Sequence, residues 1–200
     1  IPAVTSLIYG EHEGMAYLIV GAVSAIIGHL ISSKKKFENV FFAREGFVMV
    51  ALSWIVLSVV GAIPFVLTGE IPNMVDALFE TVSGFTTTGA SILEDVESLS
   101  HTSLIWRSFT HWVGGMGVIV LLLAILPMAG GYNMHLMKAE SPGPVGGKLV
   151  PRLRDTAKIL YLIYPVITVI EFVILLVVKM PIFDALCITF GTAGTGGFGI

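Results

Sequence analysis

The chain has 200 residues, of which 55% are hydrophobic and only 12% charged, with a net charge of −3 and a mean hydropathy of +0.90. Soluble domains carry about 25% charged residues, so this composition excludes an ordinary soluble fold and points to an integral membrane protein. The lone cysteine, Cys187, excludes a disulfide framework or thiolate metal site within the chain, and its apolar neighbours mark it as packing.

In chain order, residues 1–8 read as the tail of an earlier span. Four apolar blocks then reach the length that crosses a bilayer, roughly 20 residues. The first runs from Met15 to Ser32 and stops at Lys34-Lys35-Lys36. The second runs from Gly46 to Leu67 and is entered through Arg44-Glu45. The third covers Ser108 to Leu126 and ends at Pro127; the fourth covers Thr156 to Val178, with Lys179 beyond it. Starting at Ile1 and stopping inside a glycine-rich motif, the chain reads as a piece of a longer one.

Basic residues set the orientation. Lys34, Lys35, Lys36, Arg44, Lys138, Lys148, Arg152, Arg154 and Lys158 place nine of the eleven Lys and Arg on one side, which the positive-inside rule makes cytoplasmic. Residues 68–106 hold no Lys or Arg but six acids, Glu70, Asp76, Glu80, Glu94, Asp95 and Glu97, and so lie outside. Within that external stretch, Pro72 to Ser91 is moderately apolar, too short to cross, and must return to the side it left. It reads as a re-entrant loop, and non-helical backbone at membrane depth survives only where protein or a water-filled cavity satisfies it.

The chain repeats itself. Asp184-Ala185-Leu186 stands 108 residues after Asp76-Ala77-Leu78, and the same shift brings Thr81 onto Thr189, Thr87 onto Thr195 and Gly89 onto Gly197. The unit reads as outer helix, pore helix, filter and inner helix, an all-α membrane fold of repeated units as in potassium channels. Residues 44–126 form one copy with its filter at 86–91, and 154–200 form a second, truncated copy with its filter at 194–199. Residues 127–153 read as a cytoplasmic loop between them. A dehydrated potassium ion needs a cage of oxygens, which inward-turned backbone carbonyls supply. Glycine reaches the necessary backbone angles without steric cost, and threonine adds a hydroxyl acceptor on a stiff side chain. The ion-binding candidates are therefore Thr87, Thr88, Gly89, Thr195, Gly196 and Gly197. Asp76 and Asp184 read as caps at the pore-helix starts rather than as ion ligands.

The string Phe79-Glu80-Thr81-Val82-Ser83-Gly84-Phe85-Thr86-Thr87-Thr88-Gly89-Ala90-Ser91, the run Trp106-Arg107 to Trp112-Val113-Gly114-Gly115-Met116-Gly117, and the flanking Arg44-Glu45-Gly46-Phe47 and Ala139-Glu140-Ser141-Pro142-Gly143-Pro144 resemble the TrkH/KtrB family of potassium transporters. The resemblance implies four repeats around one pathway preceded by an extra helix pair, of which residues 1–40 would be part. It implies transport of K+ without a cofactor, a homodimer in a prokaryotic cell inner membrane, and a cytosolic regulatory subunit that binds nucleotide. Each copy keeps only a Thr-x-Gly core, with Thr88 opposite Gly196 and Ala90 opposite Phe198, which leaves sodium, rubidium or caesium permeation open.

Several residues admit two readings. Gly114, Gly115 and Gly117 serve as a hinge or as close helix packing. Glu171, a carboxylate inside the fourth span, is a pathway residue or a structural partner of a neighbouring helix. Arg107 either pairs with external acids or snorkels to the interface. The three lysines anchor orientation, with lipid head-group binding secondary, and His12, His29, His101, His111 and His135 show no metal-ligand spacing. No nucleophile–base pair, phosphate loop or zinc motif stands out, so the expectation is a protein that is not an enzyme, and no nucleic-acid partner is expected. The competing classes are a sodium-coupled or poorly selective cation transporter on the same fold, and a non-conducting membrane scaffold, which has no reason to duplicate a Thr-x-Gly segment.

Overall fold

The computed structural model describes residues 1–33, 43–117 and 153–200. Among them are seven helices: α1 Pro2–Tyr9, α2 Gly14–Ser33, α3 Ala43–Thr68, α4 Met74–Phe85, α5 His101–Met116, α6 Leu153–Val177 and α7 Ile182–Ala193. Three stretches are long and apolar enough to cross a membrane, Gly14–Ser33, Val48–Thr68 and Lys158–Val177. Their outward faces carry exposed apolar side chains such as Ile19 and Ile26 on α2 and Leu162 and Ile170 on α6. A soluble protein would hide such faces; a bilayer makes them the low-energy surface.

The ends of the elements follow local chemistry. α1 stops at Gly10, whose φ of 70° and N–H bond to the Ser6 carbonyl make a left-handed cap. α4 begins at Asn73, whose side chain accepts from the Val75 N–H at 2.9 Å. Asp76 and Asp184 sit in the first turns of α4 and α7, but neither is the cap: that position belongs to Asn73 and Pro181. Both acids still sit where the positive end of the helix dipole favours a carboxylate.

The third apolar block differs from expectation. Its helix starts at His101, seven residues before Ser108, because Ser100 accepts from the Ser103 N–H at 3.2 Å and caps a polar first turn that hydropathy does not reveal. The expected continuation from Val118 to Leu126, the lysines at 34–36, the 127–153 loop (to residue 152) and the 139–144 motif lie outside the described residues.

α5 is the hub. It packs on α1, α4 and α7, while α3 lies on α4, α6 on α7, and α2 bridges α1 and α3. One core joins Ala62 and Phe65 of α3 to Ala77 of α4, with Trp106 against it. Another joins Ile105 of α5 to Cys187 and Phe190 of α7. Both short helices are thus held, by buried apolar contact, against a single helix running between them.

Candidate functional site

The two glycine–threonine segments emerge from the C-terminal ends of α4 and α7 with the same backbone. Thr81 Oγ1 donates to the Ala77 carbonyl at 2.7 Å, and Thr189 Oγ1 to the Ala185 carbonyl at 2.6 Å. Thr87 N–H donates to Gly84 O at 3.0 Å and Thr88 N–H to Ser83 O at 2.9 Å. At the same spacing, Thr195 N–H donates to Thr192 O at 2.8 Å and Gly196 N–H to Gly191 O at 2.9 Å. Thr87 and Thr195 stand at φ 54° and 59°, Gly89 and Gly197 at φ 75° and 78°. The sequence marked both threonines as candidates but not their left-handed backbone, since for a β-branched residue that region is a rare and costly state. Positive φ at the first and third residues, and not at the second, sets both segments apart from a regular strand, in which every φ is negative.

The segments abut. A Cβ placed on Gly89 would overlap the Gly196 carbonyl oxygen. Behind them, small residues let the elements close up: a Cβ on Gly114 would strike the Phe85 carbonyl that ends α4, and one on Gly115 would lie 2.8 Å from Gly194 Cα. Gly117 has φ 68° and ends the described part of α5, its N–H donating to Gly114 O at 2.9 Å. His111, fully buried, stacks on Phe198 with ring centroids 4.0 Å apart and lies directly behind Gly196.

Arg107 does not snorkel. It is 3% exposed, is paired with Glu80 of α4, donates from Nη1 to the Gly199 carbonyl at 2.8 Å, and lies 3.7 Å over the Phe198 ring. Removing one partner of such a pair costs about 3–5 kcal/mol, because it leaves an uncompensated buried charge. Glu80 was legible only as one of six external acids; what escaped is that it lies on the inner face of α4, three residues from Ala77 and one before Thr81. Glu171 accepts a hydrogen bond from Thr192 Oγ1 near the end of α7, which joins α6 to its pore helix.

Outside the two segments, Gly89, Ser91, Arg107, Phe198 and Gly199 line an open cavity of about 400 Å³ whose rim includes Glu94, Asp95 and Glu97. A mouth with three carboxylates attracts cations. At the opposite flank, Glu11 accepts from the N–H and Oγ1 of Thr102 and from the N–H and Nδ1 of His101, at 2.6–2.9 Å. Burial pushes the Glu11 carboxyl up, but these bonds outweigh it and hold the group below the usual glutamate value.

A family model described as "TrkH: Cation transport protein" matches residues 13–200. The Trk system potassium uptake protein TrkH of Salmonella typhimurium is 43% identical over 202 residues, covering 99% of this chain and 42% of that protein. The Trk system potassium uptake protein TrkG of Escherichia coli K12 is 38% identical, covering 98% and 41%. The crystal structure of the potassium transporter TrkH from Vibrio parahaemolyticus superposes with a TM-score of 0.78 at 34% identity, covering 99% of this chain and 40% of that one. The chain thus spans about two-fifths of the length of the proteins it matches. That likeness shows its architecture: an all-α membrane fold of repeated outer helix, pore helix, extended segment and inner helix.

Proposed function

The chain belongs to the TrkH family of cation transport proteins, and from that premise we propose that it forms part of a potassium-conducting pore. The family is one of transporters, not enzymes, and uses no cofactor. In this reading residues 44–126 and 154–200 are two pore repeats, and residues 1–40 belong to a preceding helix pair. Dehydrated K+ is coordinated by backbone carbonyls of Thr87, Thr88, Gly89, Thr195, Gly196 and Gly197. The observation that carries the proposal is the pair of abutting segments with matching φ values and matching hydrogen bonds 108 residues apart. Gly89 faces Gly196, whereas the equivalent side of Gly197 is open among the described residues. Further segments of the same kind would close the ring there.

The remaining parts of the proposal are a multi-pass protein of a prokaryotic inner membrane, assembled as a homodimer, with a cytosolic nucleotide-binding subunit controlling opening. The relatives named as Trk system components support a multi-component assembly. The experiment is potassium uptake by potassium-starved cells that depend on the intact transporter. Gly197→Asp is expected to abolish uptake with the protein still in the membrane, because an aspartate at φ 78° both strains the backbone and disturbs the carbonyl cage. Wild-type uptake by that variant at normal abundance would sink the filter assignment. Sodium and rubidium fluxes measured alongside decide the sodium-coupled and poorly selective alternatives.

A further inference from the structure

Glu80 and Arg107 each hold a different strand. The Glu80 carboxylate accepts from Ser91 Oγ at 3.0 and 3.1 Å and from the Ile92 N–H at 3.0 Å, so it ties down the chain leaving the first glycine–threonine segment. Arg107, paired with Glu80 through Nε, donates from Nη1 to Gly199 O at 2.8 Å and covers the Phe198 ring, so it ties down the chain leaving the second. The two side chains are 0% and 3% exposed. The position 108 residues after Glu80 is Ile188, so the second pore helix carries no matching carboxylate.

We propose that the Glu80–Arg107 pair is a clamp that sets ion selectivity by fixing the spacing between the two filter segments. Neither residue is an ion ligand; both are positioning residues acting through the strands they hold. The need for a clamp lies in the backbone itself. Left-handed threonines at 87 and 195 persist only where their surroundings over-determine them, and carbonyl cages discriminate ions by how firmly the oxygens are placed. Arginine suits the task because its planar fork bonds in two directions while its face stacks on an aromatic ring. Lysine offers one point charge and no face, so Arg107→Lys keeps the charge and loses the Gly199 and Phe198 contacts together.

The proposal rests on the pore reading above, and the experiment separates the two. The intact transporter, reconstituted at equal amounts in vesicles, is assayed for K+ and Na+ flux as wild type, Arg107→Lys, Glu80→Gln and Gly21→Ala, the last a control on an open helical face. Arg107→Lys is expected to lower the K+/Na+ flux ratio about tenfold, the effect of losing a charge-assisted hydrogen bond, chiefly by raising Na+ flux. Glu80→Gln removes the carboxylate charge that pairs with Arg107 and weakens the hold on Ser91 and Ile92, and is expected to lower the ratio at least as far. If Arg107→Lys does not accumulate, Glu80→Gln decides alone. A wild-type ratio in the Glu80→Gln protein, or K+ and Na+ fluxes falling in equal proportion, overturns the clamp. Absence of K+ flux through the wild-type protein overturns the pore reading instead.

Discussion

At the residue scale, the glycines divide by what stands beside them. Gly114 meets the Phe85 carbonyl at the end of α4, whereas Gly21, midway along α2, has nothing within 4 Å. Gly114→Ala is expected to destabilise by about 1–3 kcal/mol, the cost of forcing a methyl into a filled contact. Gly21→Ala is expected to stabilise by about 0.4–1 kcal/mol through the unfolded chain's lost freedom. Thermal unfolding of the detergent-solubilised protein reads both, and equal melting temperatures for the two variants would contradict the packing. Gly69→Ala makes a third case: φ is 79° there with open space around it, so the expected cost is backbone strain of about 1 kcal/mol with ion selectivity unchanged. A changed K+/Na+ ratio in Gly69→Ala would mean that strain far from the filter reaches it.

At the scale of elements, α5 is anchored at its start by acids borrowed from elsewhere. Glu11, between α1 and α2, and Glu70, after α3, both accept bonds at its N-terminus, the latter from the Ser100 N–H at 2.6 Å. Carboxylates there gain from the helix dipole as well as from the hydrogen bonds, typically by about 0.3–1 kcal/mol each. The lowered Glu11 pKa has a definite sign. A carboxyl more acidic when folded contributes stability that is full above its unfolded value and is lost as pH falls through the folded one. The melting temperature should therefore drop on acidification below the ordinary glutamate range. Glu11→Gln should melt lower at neutral pH and lose that part of the slope; an unchanged pH profile in this variant would remove Glu11 from the account.

At the scale of the whole molecule, charge asymmetry and exposed apolar faces predict how the chain sits in a bilayer. Single cysteines at Glu94 or Ser98 are expected to react with a membrane-impermeant thiol reagent added outside, and one at Lys148 only with reagent admitted inside. Cys187 is buried and contributes little background. Reaction at position 148 from outside would invert the topology and, with it, the assignment of the acid-rimmed cavity as the external mouth. Neutralising Glu94, Asp95 and Glu97 together should reduce uptake at low ionic strength and matter less as salt screens the mouth.

Membrane class, three of the four apolar spans and the 108-residue repeat were legible in the sequence. Each rests on something one-dimensional: twenty apolar residues make a span whatever they touch, and a duplicated motif stays in register along the chain. Candidate filter residues could be chosen because glycine and threonine carry their backbone and hydroxyl chemistry with them. The left-handed Thr87 and Thr195 could not be read, since that conformation is unfavourable locally and is imposed by neighbours. The same holds for the start of α5, drawn back to His101 by the Ser100 cap and by carboxylates from 30 and 90 residues away in sequence. Arg107 decides the point most clearly. Sequence left it between an interface anchor and a partner of external acids, because an arginine's charge does not say which carboxylate will share its burial. Only the packing of both α4 and α7 against α5 brought Glu80 and Gly199 to the same guanidinium.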